Sequence, residues 1–259
     1  MYFFESILAR LSKSKYKNNI IIKGGLLISS IIGDDLRTTK DMDATLKSLP
    51  LTKEIVKKMF DEILAINNND YIIFKIQAIS DIREKDVYGG LKINILATFE
   101  TLKIYLTIEL TTGDKKTPKE ITYCYNSIFD NKQIMVLAYT IETIIAEKFQ
   151  TIISRGIFNT RMKDYYDLYV IIKYEKARIN NSILSLAIKN TFSYRNTPLI
   201  INEIIQQIEN IKAEKRLQIL WKNYQNVATY AKCIKFEELF ETLDYIVNKI
   251  LKEELIAIK

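Results

Sequence analysis

The stretch of sequence that decides the fold spans residues 20–46 and reads IIIKGGLLISSIIGDDLRTTKDMDATL. Its first three residues form a continuous apolar run that predicts a buried strand, and Leu26–Ile32 predicts a short helix. Residues Lys40–Leu46 alternate between polar and apolar side chains, which is typical of a strand with one buried face. Gly24 and Gly25 join the first strand to the helix. This order of elements predicts the start of a mixed α and β domain.

The remaining elements extend this pattern into two dissimilar halves. All seven glycines lie within the first 156 residues, and the rest of the chain shows the apolar spacing of helices. We therefore predict an α+β protein with a mixed sheet and flanking helices in residues 1–135 and a helical bundle in residues 136–259. In the first half the further predicted elements are a helix at Thr52–Ile66 and strands at Tyr71–Ile79, Leu91–Ala97 and Ile104–Thr111. In the second half, helices are predicted after the N-cap Thr140, around Leu168 and Ile171, and over residues 204–211, 217–224 and 236–251.

Asp41 and Asp43 are the first candidates for chemistry. They lie two residues apart in a predicted strand, so their carboxylates share one face. Hard cations such as Mg²⁺ take one or two protein carboxylates together with phosphate oxygens. Glu109 lies on the polar face of the strand Ile104–Thr111 and is the candidate third carboxylate. The alternative is that all three are solvated strand residues, and an Asp-x-Asp pair alone does not decide between these interpretations.

The glycine turn upstream of the aspartates favours a functional interpretation. A strand that passes through glycines into a helix allows backbone N–H groups to approach a phosphate, and the helix dipole favours the anion. The alternative is an ordinary tight turn. Arg37, just before the aspartate pair, would contact a phosphate or cap the preceding helix.

Two charged residues occur where the helical stripes call for apolar side chains. Lys148 lies seven residues after Ile141 and four after Ile144, and Asp164 lies four residues before Leu168. A charged group on an inward face needs a partner. Lys148 would then be a triphosphate clamp facing a cleft between the halves, or a lysine that snorkels at the edge of the stripe. A buried Lys148–Asp164 pair that holds the bundle together is the structural alternative.

The segment that joins those two helical stripes is basic. Arg155, Arg161 and Lys163 surround an aromatic residue, so the segment would contact a nucleic-acid backbone or a nucleotide. The alternative is a solvated loop with positive charge at a helix C-terminus.

Composition excludes several classes of enzyme. Histidine is absent, which removes Ser-His-Asp and Cys-His triads and most zinc hydrolase designs. Cys124 and Cys233 lie far apart without a Cys-x-x-Cys motif, so no disulfide framework or zinc site is expected. The net charge of +7 fits an anionic partner such as nucleic acid or nucleotide. No apolar run is long enough to span a membrane and no secretory signal is visible, so we expect a cytoplasmic protein without a membrane partner.

Taken together, the motifs resemble those of the AbiEii/AbiGii toxin family of nucleotidyltransferases, within the DNA polymerase β-like superfamily. The resemblance spans residues 23–168, and the combination is far more specific than any one motif. Its segments are Lys23-Gly24-Gly25, residues 37–43 (RTTKDMD), residues 106–114 (LTIELTTGD), Ala146-Glu147-Lys148 and residues 161–168 (RMKDYYDL).

The resemblance implies roles for individual residues. Asp41 and Asp43 would hold Mg²⁺ or Mn²⁺, and Glu109 would be the third acidic ligand. Lys148 and Asp164 would form the functional pair of the helical domain, which contributes to the cleft for nucleotide and acceptor. The implied binding residues for the nucleoside triphosphate are Lys23, Gly24, Gly25, Arg37, Thr39 and Lys148.

The resemblance also implies a biological role. Members are toxins of bacterial abortive-infection or toxin–antitoxin systems, and a cognate antitoxin usually encoded alongside neutralises them. Relatives add nucleotides to the 3′ end of transfer RNA and so block translation, which implies an RNA acceptor and a part in phage defence. The sequence departs from the wider superfamily in having Gly-Gly in place of Gly-Ser, a longer interval to the aspartate pair, and Glu109 where many members carry Asp.

The mechanism that we expect is a two-metal, in-line transfer of a nucleoside monophosphate. Glu109 would accept the proton of the attacking hydroxyl or hold the metal ion that acidifies it. Nucleotidyl transfer to a protein or a small molecule is the nearest enzymatic alternative. A catalytically silent module that binds nucleic acid or a protein is the alternative from another class.

Overall fold

The computed structural model describes residues 1–33, 36–37, 39, 41–82, 89–113, 116–129 and 132–257. Lys40 of the predicted second strand and Asp114 of the third motif segment lie outside these residues. The chain divides into two compact units, one made of 1–114 with 120–139 and the other of 115–119 with 140–259. The assignment of residues 1–135 and 136–259 to two functional domains stays a prediction.

The first unit contains a single mixed sheet with three helices among its described residues. Its elements are α1 (Tyr2–Lys13), β1 (Ile20–Lys23), α2 (Gly24–Ile32), β2 (Asp41–Leu46), α3 (Lys53–Leu64), β3 (Ile73–Ile82), β4 (Gly90–Phe99), β5 (Leu102–Thr111), β6 (Ile121–Asn126) and β7 (Gln133–Ala138).

The strands follow the order β3-β4-β5-β2-β1-β7-β6. Strand β2 runs parallel to β5 and β1 runs parallel to β7, whereas the other neighbouring pairs are antiparallel. The sheet is therefore mixed, and the predicted α+β class is confirmed.

The sheet has one apolar and one polar face at its centre. Alternate residues of β2, β4 and β5 are buried, and the residues between them are partly exposed. The buried set includes Met42, Ala44, Ile93, Ile108 and Leu110, each fully shielded from solvent. Helix α2 packs against β1 and β2, and α3 packs against β3. The polar side chains of the central strands consequently share the opposite face.

The second unit is helical in its described residues, which confirms the predicted bundle. Thr140 caps the first helix as expected, because its hydroxyl oxygen accepts a hydrogen bond of 3.3 Å from the backbone N–H of Thr143. The helices are α4 (Ile141–Arg155), α5 (Met162–Glu175), α6 (Asn181–Tyr194), α7 (Ile201–Ala213), α8 (Lys215–Val227) and α9 (Glu238–Ala257).

Four elements were not among the sequence predictions. Helices α1 and α6 bury residues at helical spacing, so their periodicity was present in the sequence. Strand β6 lies at the edge of the sheet and shows no regular alternation. Strand β7 includes residue 135, where the sequence interpretation placed its boundary. Among the described residues, no helix combines the length and apolar character needed to cross a lipid bilayer.

Candidate active site

The parallel strands β2 and β5 bring three carboxylates to the polar face of the sheet. Asp43 lies directly opposite Glu109, and Asp41 lies opposite Thr107. Cα atoms of facing residues on neighbouring strands are about 4.8 Å apart, so the carboxylates of Asp43 and Glu109 are immediate neighbours. Met42, between the two aspartates, and Ile108 and Leu110, on either side of Glu109, are fully buried. The acidic side chains therefore lie on the face that solvent reaches.

Two lysines flank this acidic pair in the same row of the sheet. Lys23 on β1 lies opposite Asp43, and Lys92 on β4 lies opposite Glu109. The ammonium group of Lys23 also donates a hydrogen bond of 2.9 Å to the hydroxyl of Thr111. Across four strands the charges therefore run positive, negative, negative, positive. Lys92 was not among the sequence candidates, because its place beside Glu109 depends on strand register.

The glycine turn is shaped by contact with the second aspartate. Gly24 has φ of +66°, and a Cβ atom at this position would lie 1.9 Å from Oδ2 of Asp43. The backbone N–H of Gly25 points to the same oxygen at a distance of 3.4 Å. A Cβ atom at Gly25 would lie 2.8 Å from both Nη2 of Arg37 and Oγ1 of Thr39. The two glycines thus allow the start of α2 to approach the carboxylate closely.

Arg37 and Thr39 lie beside the glycine turn and help to hold it in place. The side chain of Arg37 is fully buried, and its backbone carbonyl accepts a hydrogen bond of 2.5 Å from Ser29 on α2. The hydroxyl of Thr39 donates to the backbone carbonyl of Asp41 at 3.0 Å. These contacts fix the segment that leads into β2. A direct contact of Arg37 or Thr39 with nucleotide stays a prediction.

Lys148 forms a buried ion cluster in the second unit. Its Nζ atom lies 2.9 Å from Oδ1 of Asp164 and 2.7 Å from Oδ2 of Asp167, and 14% of the Lys148 side chain is exposed. Burial lowers the pKa of Lys148, but attraction to Asp167 and Asp164 outweighs this effect and raises the pKa above its ordinary value. Lys148 therefore carries its charge throughout the neutral range.

The structure thus contains the buried Lys148–Asp164 pair, which the sequence suggested as the structural alternative to a triphosphate clamp. Asp167 is a second partner that the sequence interpretation did not assign, although it follows Asp164 by one helical turn. Asp164 also binds Nε of Arg161 at 3.0 Å, and about half of the Arg161 side chain is exposed. The cluster joins α4 to α5, and its part in catalysis stays a prediction.

The basic segment between α4 and α5 begins at the last residue of α4. Arg155 and Lys163 are half-buried, whereas Arg161 is exposed. A short 3₁₀ turn, Gly156–Phe158, carries an aromatic side chain that is exposed to solvent. The segment has the charge and the aromatic group of a nucleic-acid contact, and this role stays a prediction.

The carboxylates of the sheet are a candidate metal site. Within the described part of the chain, no group of three or more Asp, Glu, Cys or His side chains is arranged to hold a metal ion. Oδ2 of Asp43 instead faces the N–H of Gly25. Neighbouring carboxylates nevertheless supply the oxygen donors that Mg²⁺ prefers, and Mg²⁺ usually completes its shell with water and substrate phosphate. The donor set fits a divalent cation that is bound together with a nucleotide.

Comparison with solved structures places the fold among known proteins. The structure of JHP933 from Helicobacter pylori matches with a TM-score of 0.51 at 15% identity, over 99% of this chain and 94% of that chain. A second H. pylori protein, described as a proposed nucleotidyltransferase, matches with a TM-score of 0.49 at 16% identity, over 97% and 94% of the two chains. The first of these matches shows a shared fold. No curated protein matches the sequence.

The family comparison is more specific. Residues 6–242 match the sequence model of a family described as the nucleotidyl transferase AbiEii toxin of type IV toxin–antitoxin systems. The match covers nearly the whole chain and includes the glycine turn, all three carboxylates of the sheet and the buried ion cluster. The chain belongs to the AbiEii nucleotidyl transferase toxin family, and it is a nucleotidyltransferase.

Proposed function

We propose that this toxin transfers a nucleoside monophosphate from a nucleoside triphosphate to the 3′ hydroxyl of an RNA acceptor, namely transfer RNA. Pyrophosphate is released, and the modified transfer RNA no longer supports translation. The observation that carries the proposal is the register that sets Asp43 beside Glu109 at the N-terminus of α2. A helix N-terminus with close backbone N–H groups binds phosphate, and the adjacent carboxylates bind the cation that accompanies it.

The chain's own residues would divide the work between binding and proton transfer. Gly24 and Gly25 would seat the triphosphate, because glycines at the start of α2 let its backbone N–H groups approach a phosphate closely. Asp41 and Asp43 would hold Mg²⁺ or Mn²⁺. When bound, the cation would lower the pKa of the attacking hydroxyl and neutralise charge on the triphosphate. Glu109 would accept the hydroxyl proton or contribute to cation binding.

The acceptor is proposed to be RNA because of charge and family membership. The net charge of +7 favours an anionic partner, and Lys23 and Lys92 flank the acidic pair on its own face. A protein or a small-molecule acceptor would not need this excess of positive charge. The toxin–antitoxin context implies that a cognate antitoxin restrains the activity in the cell.

The test is a transfer assay with each labelled nucleoside triphosphate, Mg²⁺ and total cellular RNA, protein and metabolites. We expect label in transfer RNA. Asp43→Asn and Glu109→Gln should each reduce the rate at least about 100-fold, the scale on which loss of one transition-state contact acts. Asp81→Asn is the matched control, because Asp81 lies on β3 in an exposed ion pair with Lys53. Label in protein or in a small molecule would overturn the proposed acceptor.

A further inference from the structure

Strands β3, β4 and β5 continue past the end of the sheet at which β2 begins. The pairing of β5 with β2 starts where Thr107 faces Asp41, and residues 102–106 of β5 precede that point. These residues pair with residues 95–99 of β4, and residues 95–98 in turn pair with residues 73–76 of β3. We define the sheet extension as residues 73–76, 95–99 and 102–106. It lies next to the carboxylates of Asp41, Asp43 and Glu109, on the side of β2 where β5 pairs with it.

The sheet extension carries two lysines and a tyrosine on the catalytic face. Tyr105 and Lys103 share the face of Glu109, because residues two apart in a strand point the same way. Lys75 belongs to the same face, since it lies opposite Leu96, which lies opposite Tyr105. Tyr105 is 76% exposed, and both lysines are exposed.

The opposite face of the sheet extension is covered. Ile95 and Ala97 on β4 are fully buried, and α3 packs against β3. The exposed ring of Tyr105 therefore stands on a supported part of the sheet, with Lys103 two residues along β5 and Lys75 two strands across, beyond Leu96. Surfaces that combine basic groups with an exposed aromatic ring bind single-stranded nucleic acid, because the ring stacks on a base and the cations contact phosphates.

The position of the sheet extension agrees with the direction from which an acceptor must approach. In phosphoryl transfer the attacking and leaving oxygens lie roughly in line on opposite sides of phosphorus. The Gly24–Gly25 turn lies on the β1 side of Asp43, so a triphosphate seated there directs its leaving group to that side. The acceptor then arrives from the β5 side, where the sheet extension lies.

The distance is also suitable. Two residues along a strand and one strand across place Cα of Tyr105 about 8 Å from Cα of Asp41. A base stacked on Tyr105 would thus belong to one of the last few nucleotides before the reacting 3′ end.

We propose that Tyr105, Lys75 and Lys103 form a platform that binds the single-stranded 3′ end of the acceptor RNA. A base near the 3′ end stacks on the Tyr105 ring, and Lys75 and Lys103 contact the phosphates that flank it. This inference rests on the proposed function, because it takes the acceptor to be RNA. The platform residues belong to the first unit, whereas the basic segment with Arg155, Arg161 and Lys163 belongs to the second.

The first test measures RNA binding by fluorescence anisotropy with a 5′-labelled single-stranded RNA of about twelve nucleotides, within the usual range of such sites. Tyr105→Ala should weaken binding about 10-fold, as expected for loss of one stacked base, and Tyr105→Phe should retain it. The double variant Lys75→Gln, Lys103→Gln should reduce the slope of log Kd against log salt concentration by about 1.4. Lys58→Gln on α3 and Tyr174→Ala on α5 are exposed controls that should leave binding unchanged.

The second test measures transfer with the same variants. Tyr105→Ala should raise the KM for RNA about 10-fold and leave the KM for nucleoside triphosphate unchanged. If the wild type modifies RNA and Tyr105→Ala equals it in Kd and in KM, the platform is overturned while the proposed function stands. If the wild type modifies no RNA, the proposed function fails, and the anisotropy assay alone still decides whether the platform binds RNA. Binding of a protein at Tyr105 without binding of RNA would also overturn the platform.

Discussion

At the scale of single residues, the site depends on how closely the start of α2 approaches Asp43. The side chain of Asp43 occupies the space that a Cβ atom on Gly24 would need. The glycine is therefore required by the carboxylate as well as by its positive φ. This explains why a Gly-Gly pair, a weak signal in isolation, becomes informative once Asp43 is known to lie against it.

Gly24→Ala tests this contact. The new methyl group would displace the carboxylate of Asp43 and would hold alanine at a φ of +66°. We expect a loss of about 1–3 kcal/mol of unfolding free energy and nearly complete loss of transfer activity. Gly89→Ala is the control, since no atom lies within 4 Å of a Cβ built there, and its stability should stay within about 0.5 kcal/mol of the wild type. Equal activity of the two variants would contradict the argument.

At the scale of elements, buried ion pairs join pieces of chain that are distant in sequence. Arg10 on α1 binds both oxygens of Asp70, just before β3, at 2.5 and 2.7 Å. Burial raises the pKa of Asp70, but hydrogen bonds from Arg10, Ser6 and Asn68 outweigh it and hold the pKa below its ordinary value of 3.8. The pair consequently stabilises the fold above the ordinary pKa and loses that contribution as the pH falls below it.

Asp70→Asn should reveal this pH dependence. At pH 7 the variant leaves Arg10 buried without a countercharge, so we expect a loss of about 3–5 kcal/mol of unfolding free energy. As the pH falls below about 4 the wild type progressively loses the same contribution, so the difference between the two proteins should shrink. Urea denaturation at neutral and acidic pH measures both. A difference that does not change with pH would show that the charge of Asp70 is not responsible.

Lys148 permits the corresponding test in the helical unit. Lys148→Met keeps the volume of the side chain but leaves the carboxylates of Asp164 and Asp167 without their shared ammonium group. We expect a loss of about 3–5 kcal/mol of unfolding free energy, measured in urea at pH 7. Lys222→Met, at an exposed position of α8, is the control for loss of a lysine. Full stability together with loss of nucleotide binding would show that Lys148 acts on substrate alone.

At the scale of the whole molecule, each of the two units buries a core of its own. Proteins built from separate cores commonly depart from two-state unfolding. We expect calorimetry to resolve two thermal transitions, with Asp70→Asn lowering one Tm and Lys148→Met lowering the other. A single transition that both variants shift equally would show that the units unfold together.

The sequence predicted the parts of this molecule better than their pairing. Periodicity located the carboxylates on their strand faces, and a cap identified the start of α4, because both signals are local. The sequence predicted that Glu109 joins the aspartates, but not that it lies directly opposite Asp43 or that Lys92 lies beside it, since strand register depends on segments far apart in the chain. Asp167 was not predicted as a second partner of Lys148, because sequence spacing does not show which carboxylates on α5 an ammonium group on α4 reaches.

The register that places Asp43 opposite Glu109 also determines when, during synthesis of the toxin, its acidic pair can form. The two residues belong to strands separated in sequence by α3, β3 and β4, so their pairing closes a long loop and ranks among the slower contacts to form. A nascent chain in which only the glycine turn and β2 have been synthesised lacks Glu109, the carboxylate that faces Asp43. Synthesis must therefore proceed through β5 before the acidic pair exists, and a truncated translation product that ends earlier would be inert.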